Sequence, residues 1–156
     1  MSLTSFIRRT RTTRPLIALA LMTTLASCGH DSELGIARTW ALQTVDGAPL
    51  PFTVPSAPHD IVITSATATI GSDGNYTMTY LGTTDGVSGT VKTDHGTWTI
   101  ASSTFNFRSN TLDGQTFIAA YLTSTFRASV PGALFGSDTD SFEMVFGVAA
   151  MDEQIP

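Results

Sequence analysis

The sequence predicts an all-β domain, a single antiparallel up-and-down β-barrel of about eight strands. Apolar and polar residues alternate along short segments after residue 37, as expected for strands with one buried face. No segment repeats its apolar residues at the period of a helix. Asp-Gly dipeptides, which favour tight hairpin turns because glycine accepts positive φ, separate these segments at Asp46-Gly47, Asp73-Gly74, Asp85-Gly86 and Asp113-Gly114.

The strand segments follow one another with short connections. In 75–82, the side chains of Tyr76, Met78 and Tyr80 share one face. In 60–71, the apolar positions change parity part-way, which predicts a β-bulge near Ser65. The predicted strands are 38–45, 60–71, 75–82, 87–93, 96–101, 103–109, 115–123, 124–130 and 141–149.

Strands of this kind form either a sandwich or a closed barrel. We favour the barrel because closure leaves no exposed strand edge. The faces opposite the aromatic residues carry Thr, Ser, Asn and Arg without an apolar outward band, so the barrel is not expected to span a membrane.

The first 27 residues have the pattern of a secretory signal peptide. Four arginines between residues 8 and 14 precede an apolar stretch, Pro15 to Leu25, that is too short to span a bilayer. The following Leu25-Ala26-Ser27-Cys28 resembles the lipobox of bacterial lipoproteins, in which the cysteine thiol is acylated. An ordinary signal peptide with an incidental cysteine is the alternative.

The expected organisation therefore has four parts: a lipoprotein signal peptide at 1–27, a lipidated tether at 28–37, the barrel at 38–150 and a tail at 151–156. Cys28 is the expected lipidation site, and the membrane is the expected partner through that anchor. Gly29 after the cysteine resembles outer-membrane lipoproteins, so we expect the cell envelope, with the barrel facing the periplasm.

Charge and cysteine content exclude some classes of function. Removing residues 1–27 leaves four basic against thirteen acidic residues, a net charge of −9. The four cations are scattered, so no nucleic-acid partner is expected. Cys28 is the single cysteine, so the domain lacks a disulfide and depends on its core for stability.

The sequence carries only weak candidates for catalytic or metal-binding motifs. There is no Gly-x-Ser-x-Gly elbow and no phosphate-binding loop, so we expect neither an enzyme nor a cofactor. The pair His59-Asp60 precedes a strand and Asp94-His95 is expected in a turn; solvated side chains are a better interpretation there than a metal site. The alternating carboxylates of 138–143 lack the other residues of a calcium loop, which favours a solvated turn.

Three segments carry a resemblance to bacterial lipocalin-like lipoproteins: Trp40 to Pro51, Ile63 to Tyr76 with its Asp-Gly turn, and Gly96 to Ile100. The resemblance implies a lipocalin-like barrel and, from the family, a small hydrophobic ligand. Lipocalins proper have Gly-x-Trp on the first strand, where this chain has Arg38-Thr39-Trp40, so no ligand-binding residues are transferred.

The large side chains of the inner face have two alternative roles, since an eight-stranded barrel either fills with its own side chains or holds one small ligand. If a cavity exists, its expected lining is Trp40, Tyr76, Tyr80, Trp98, Phe105, Phe107 and Tyr121. Two functions follow. One is an anchored barrel that binds a small hydrophobic molecule; the other is a structural or interaction module with a packed core and an envelope protein as partner.

Overall fold

A computed structural model describes residues 36–122 and 124–149. Eight strands of six to fifteen residues form the wall of the domain, and two strands of two residues each flank it. The strands are β1 (Thr39–Val45), β2 (Ala48–Pro49), β3 (Phe52–Thr53), β4 (Ile61–Ile70), β5 (Asn75–Thr84), β6 (Val87–Ala101), β7 (Thr104–Ser109), β8 (Thr116–Leu122), β9 (Thr125–Pro131) and β10 (Ser141–Val148); a 3₁₀ helix spans Gly132–Phe135.

The wall is a closed, up-and-down antiparallel barrel, as predicted. Each strand from β4 to β9 pairs with the next along the chain. Strand β1 closes the barrel because it pairs on one edge with β10 and on the other with β4. Trp40 lies at this closure, opposite Val148 on one side and Ala68 on the other.

Up-and-down topology gives the barrel two distinct ends. The terminal end is where the described chain enters β1 and leaves β10, and it carries the connections 71–74, 102–103 and that between β8 and β9. The distal end carries the connections 46–60, 85–86, 110–115 and 132–140.

The core fills the barrel because alternate residues of each strand point inward. Phe126 stacks on Phe146 with ring centroids 4.6 Å apart, and Trp40 meets Phe126 edge-on at 5.3 Å. At the distal end, the 3₁₀ helix buries Leu134 and Phe135. The Phe135 ring lies 5.0 Å from that of Tyr80, so this helix covers the interior at the distal end.

The predicted bulge in β4 is confirmed. The register of β4 against β5 shifts between Ile63 and Ser65. Beside it, a Cβ on Gly82 would come within 1.8 Å of the Val62 carbonyl oxygen, so this approach of the two backbones requires glycine. The bulge bends a ten-residue strand around the barrel.

The prediction of two strands at 87–93 and 96–101, with Asp94-His95 in a turn, is wrong. Both segments belong to β6, a single fifteen-residue strand. Its first part pairs with β5 and its last part, from Gly96, with β7. The turn-like residues are tolerated because other strands supply hydrogen-bond partners for Asp94, and because Gly96 admits the backbone of Arg108 at close range.

Candidate functional site

The seven residues expected to line a cavity all lie on the inner face of the barrel. They come from β1, β5, β6, β7 and β8. Six of them are buried, with exposed fractions of 7% or less, and Tyr121 is half-buried at the terminal end. The fold therefore brings these residues together; whether they bind a ligand stays a prediction.

Their rings contact one another. Phe105 is central, with its ring centroid 5.7 Å from Trp98, 6.4 Å from Phe107 and 5.9 Å from Tyr121. Tyr76 meets Phe107 edge-on at 4.9 Å. These separations are those of directly packed aromatic pairs. The interior at this level is occupied by the protein's own side chains.

The polar tips of the two tryptophans are also engaged. The indole N–H of Trp40 donates to the carbonyl oxygen of Ile36 at 3.1 Å, and that of Trp98 donates to Gly71 at 2.9 Å. Both acceptors belong to backbone at the terminal end. These donors hold the connections against the barrel, and a ligand would have to compete for them.

One polar cluster lies inside the barrel wall, and it was missed by the sequence analysis. Asp94 is fully buried, and its carboxylate accepts hydrogen bonds from the Tyr76 hydroxyl at 2.7 Å and the Ser109 hydroxyl at 2.5 Å. Ser109 Oγ in turn accepts the backbone N–H of Leu112 at 3.0 Å. The cluster ties β5, β6 and β7 to the 110–115 connection.

The two buried tyrosines remain protonated over the physiological range. Burial, followed by the hydrogen bond to Asp94, raises the pKa of Tyr76 well above its usual range. Burial, followed by the charge of Asp94, does the same to the pKa of Tyr80. Both hydroxyls therefore act as hydrogen-bond donors, Tyr76 to Asp94 and Tyr80 to the sulfur of Met78 at 3.5 Å.

The clefts that we describe lie on the outer surface. The largest of them, about 420 Å³, crosses the outward faces of β8, β9 and β10. Its sides include Ile118, a 56% exposed side chain, and the ion pair of Arg127 with Glu143 at 3.3 Å. A second cleft of about 270 Å³ shares Ile118 and continues toward the distal end.

The two histidine–aspartate pairs expected to be solvated lie in different environments. His59 is exposed, and its Nδ1 lies 2.9 Å from Asp85 at the tip of the β5–β6 hairpin. Asp94 faces inward instead, with the hydroxyl partners given above. Within 36–122 and 124–149, no group of three or more His, Cys, Asp or Glu side chains is placed to hold a metal ion.

The predicted segments at both ends of the chain lie outside the described residues. This applies to the signal peptide at 1–27, to Cys28, to most of the tether at 28–37 and to the tail at 151–156. Among the residues that the structure does describe, no helix has the length and apolar character needed to cross a bilayer.

The fold and its interior define a class of protein: a small eight-stranded antiparallel barrel with an aromatic core and one buried Tyr–Asp–Ser cluster. The architecture is consistent with a lipocalin-like fold. No protein-family model, no curated protein and no solved structure matches the chain.

Proposed function

We propose that this protein is a lipid-anchored module of the cell envelope, without enzymatic activity, whose packed barrel acts through its outer surface on an envelope protein. The observation that carries the proposal is the direct contact among the inner aromatic rings, centred on Phe105. A barrel filled in this way offers its outside, rather than its inside, for recognition.

Energetics favours the packed core over an internal ligand site. Each large apolar side chain contributes roughly 1.5 to 3 kcal/mol when it is buried. A ligand held at micromolar affinity gains about 8 kcal/mol. Displacing Phe105, Phe107 and Trp98 to make room would consume most of that gain, and the N–H of Trp98 would also lose its bond to Gly71.

The lipid anchor is supported by the sequence alone. Cys28 ends a lipobox-like tetrapeptide and is the single cysteine of the chain. The chain is fixed again at Ile36, which is buried and accepts the indole N–H of Trp40. Seven residues, 29–35, thus lie between the proposed acylated cysteine and the first fixed residue of the barrel.

The test of the packed barrel is native mass spectrometry of residues 29–156, purified from envelope extract and then exposed to phospholipids and fatty acids. We expect the mass of the bare chain, unchanged by exposure. A stoichiometric adduct of defined mass would instead establish the alternative suggested by the lipocalin-like resemblance, a barrel that binds a small hydrophobic ligand.

The test of the anchor is metabolic labelling with a radioactive fatty acid. We expect label on the wild-type chain and none on Cys28→Ala. Ser27→Ala is the matched control, since it keeps a small residue before the cysteine and should keep the label. Label on Cys28→Ala would contradict the lipoprotein assignment.

The outer surface is tested by a photo-crosslinking amino acid placed at Ile118 in living cells. The same group at Thr69, an exposed outward position on β4, is the control. We expect a discrete crosslinked product from position 118 that is absent from position 69. Identical patterns from the two positions would contradict a specific surface interaction.

A further inference from the structure

We propose that the terminal end of the barrel faces and touches the lipid bilayer, so that the distal end points away from the membrane. This inference rests on the proposed lipid anchor and adds the surface that meets the lipid. The partner is the headgroup region of the bilayer in which the acyl chains of Cys28 are inserted.

The chain enters the barrel at the terminal end. Ile36 is fixed at the terminal end by Trp40, and the backbone N–H of Arg38 also donates to the Ile36 carbonyl. From Cys28 to this point the chain reaches at most about 29 Å. Strand β6, with fifteen residues, has ends roughly 45 Å apart. The tether therefore keeps the terminal end close to the bilayer, although its length alone leaves the barrel free to tilt.

Among the described residues, charge is distributed unevenly between the two ends of the barrel. Six exposed aspartates lie in the connections of the distal end, against the nearby cations Lys92 and Arg108. At the terminal end, Asp73 and Arg38 offset each other. The six aspartates are Asp46, Asp60, Asp85, Asp113, Asp138 and Asp140.

An anionic lipid surface repels the acidic distal end more strongly than the balanced terminal end. The flanking segments add Asp31, Glu33, Asp152 and Glu153, which lie outside the described residues. Asp31 and Glu33 belong to the tether between the proposed anchor and the barrel, so they stay close to the bilayer at any tilt. Asp152 and Glu153 follow β10 and add two negative charges to the terminal end, which still leaves it less acidic than the distal end with its six aspartates and two cations.

An exposed apolar side chain lies at the terminal end. Leu122 is 56% exposed and is the last residue of β8, next to the connection to β9. Arg38 lies over the Trp40 ring at 5.5 Å on the same end, as a cation next to an aromatic surface. An exposed leucine and an arginine at the same end of the barrel suit the boundary between headgroups and acyl chains.

The experiment uses the full lipidated chain reconstituted into vesicles of phosphatidylethanolamine and anionic phosphatidylglycerol that contain a spin-labelled lipid as quencher. Ser103→Cys places a fluorophore at the terminal end, and Ser88→Cys places the same fluorophore at the distal end; both positions are exposed. We expect the label at 103 to lose most of its emission and the label at 88 to keep it.

A second pair of variants tests the contact itself. In the Ser103→Cys background, Leu122→Asp should restore emission because a carboxylate is driven from the headgroup boundary. Val87→Asp changes an apolar residue at the distal end that is 73% exposed, more than Leu122, and should leave the quenching unchanged.

The outcomes separate the inference from the anchor on which it rests. Vesicle flotation shows whether the chain is membrane-bound, independently of quenching. A floating protein with equal quenching at 103 and 88, or with stronger quenching at 88, overturns the orientation alone. A chain that does not float and carries no acyl label overturns both the anchor and the orientation.

Discussion

The two halves of β6 belong to one strand but differ in burial and in strand pairing. In the projecting half, Val87–Thr93, every side chain is exposed or partly exposed and the strand pairs with β5 alone. In the core half, Asp94–Ala101, buried residues alternate with exposed ones from Asp94 to Trp98. Backbone pairing extends well past the core, while full burial stops at Asp94; Val91 in the projecting half packs against the core from a partly buried position. The difference teaches that the length of a strand and the depth of the barrel are set by separate features of the sequence.

The largest loss of unfolding free energy is expected in the core half, at Trp98. Trp98→Ala removes a buried ring that packs on Phe105 and a bond to the Gly71 carbonyl, so we expect the free energy of unfolding to fall by about 3 to 5 kcal/mol. Val87→Ala, in the projecting half and 73% exposed, should change it by less than about 0.5 kcal/mol. Urea unfolding of both variants measures the contrast. Similar losses in the two halves would refute the comparison.

An intermediate loss of unfolding free energy is expected at Asp94, where the two halves meet. Asp94→Ala leaves the hydroxyls of Tyr76 and Ser109 without their acceptor, which should cost about 1 to 3 kcal/mol of unfolding free energy. Thr93→Ala, one residue earlier and exposed, is the matched control and should cost less than about 0.5 kcal/mol. If Asp94→Ala unfolds at the urea concentration of the wild type, the cluster does not stabilise the fold.

The smallest effect is expected at the tip of the projecting half. The backbone N–H of Asp60, and then the ring of His59, lower the pKa of Asp85. A lowered pKa in the folded state favours folding above the ordinary aspartate pKa, and this contribution is lost as pH falls through the folded-state pKa. His59→Ala should raise the Asp85 pKa part of the way, since the bond from Asp60 remains.

Carboxyl carbon NMR during an acid titration measures this change. Asp73, at the terminal end, is the control because its pKa is lowered by the side chain and backbone of Asn75, which His59 does not contact. An unchanged Asp85 titration in His59→Ala would show that the ring contributes nothing at the tip.

Much of the fold could be predicted from the sequence because burial of one face of each strand makes apolar residues recur at every second position. The bulge near Ser65 was predictable for the same reason, since a change of parity is visible in the apolar positions. The grouping of Tyr76, Trp98 and Phe105 on the inner face also followed from that period.

The role of Asp94 could not be predicted in the same way. Its partners lie on β5 and β7. The spacing of residues along one strand does not reveal the register between strands, so these contacts are not visible in the sequence. An aspartate beside histidine and glycine has the composition of a turn, and only its neighbours in space make it a strand residue. The 3₁₀ helix was also missed, although the adjacent apolar pair Leu134-Phe135 in a connection was an available signal.

The closure of the barrel by β1 has a consequence for how the chain folds. Most strands pair with their neighbour along the sequence, which is fast to form, whereas the pairing of Trp40 with Val148 joins the two ends of the domain. The loop-closure entropy of that contact is paid over nearly the whole chain. We therefore expect the pairing of β1 with β10 to form late, so that Trp40 becomes fully buried only when the last strand is in place. The fluorescence of Trp40 should then report the completion of folding, separately from that of Trp98 in β6.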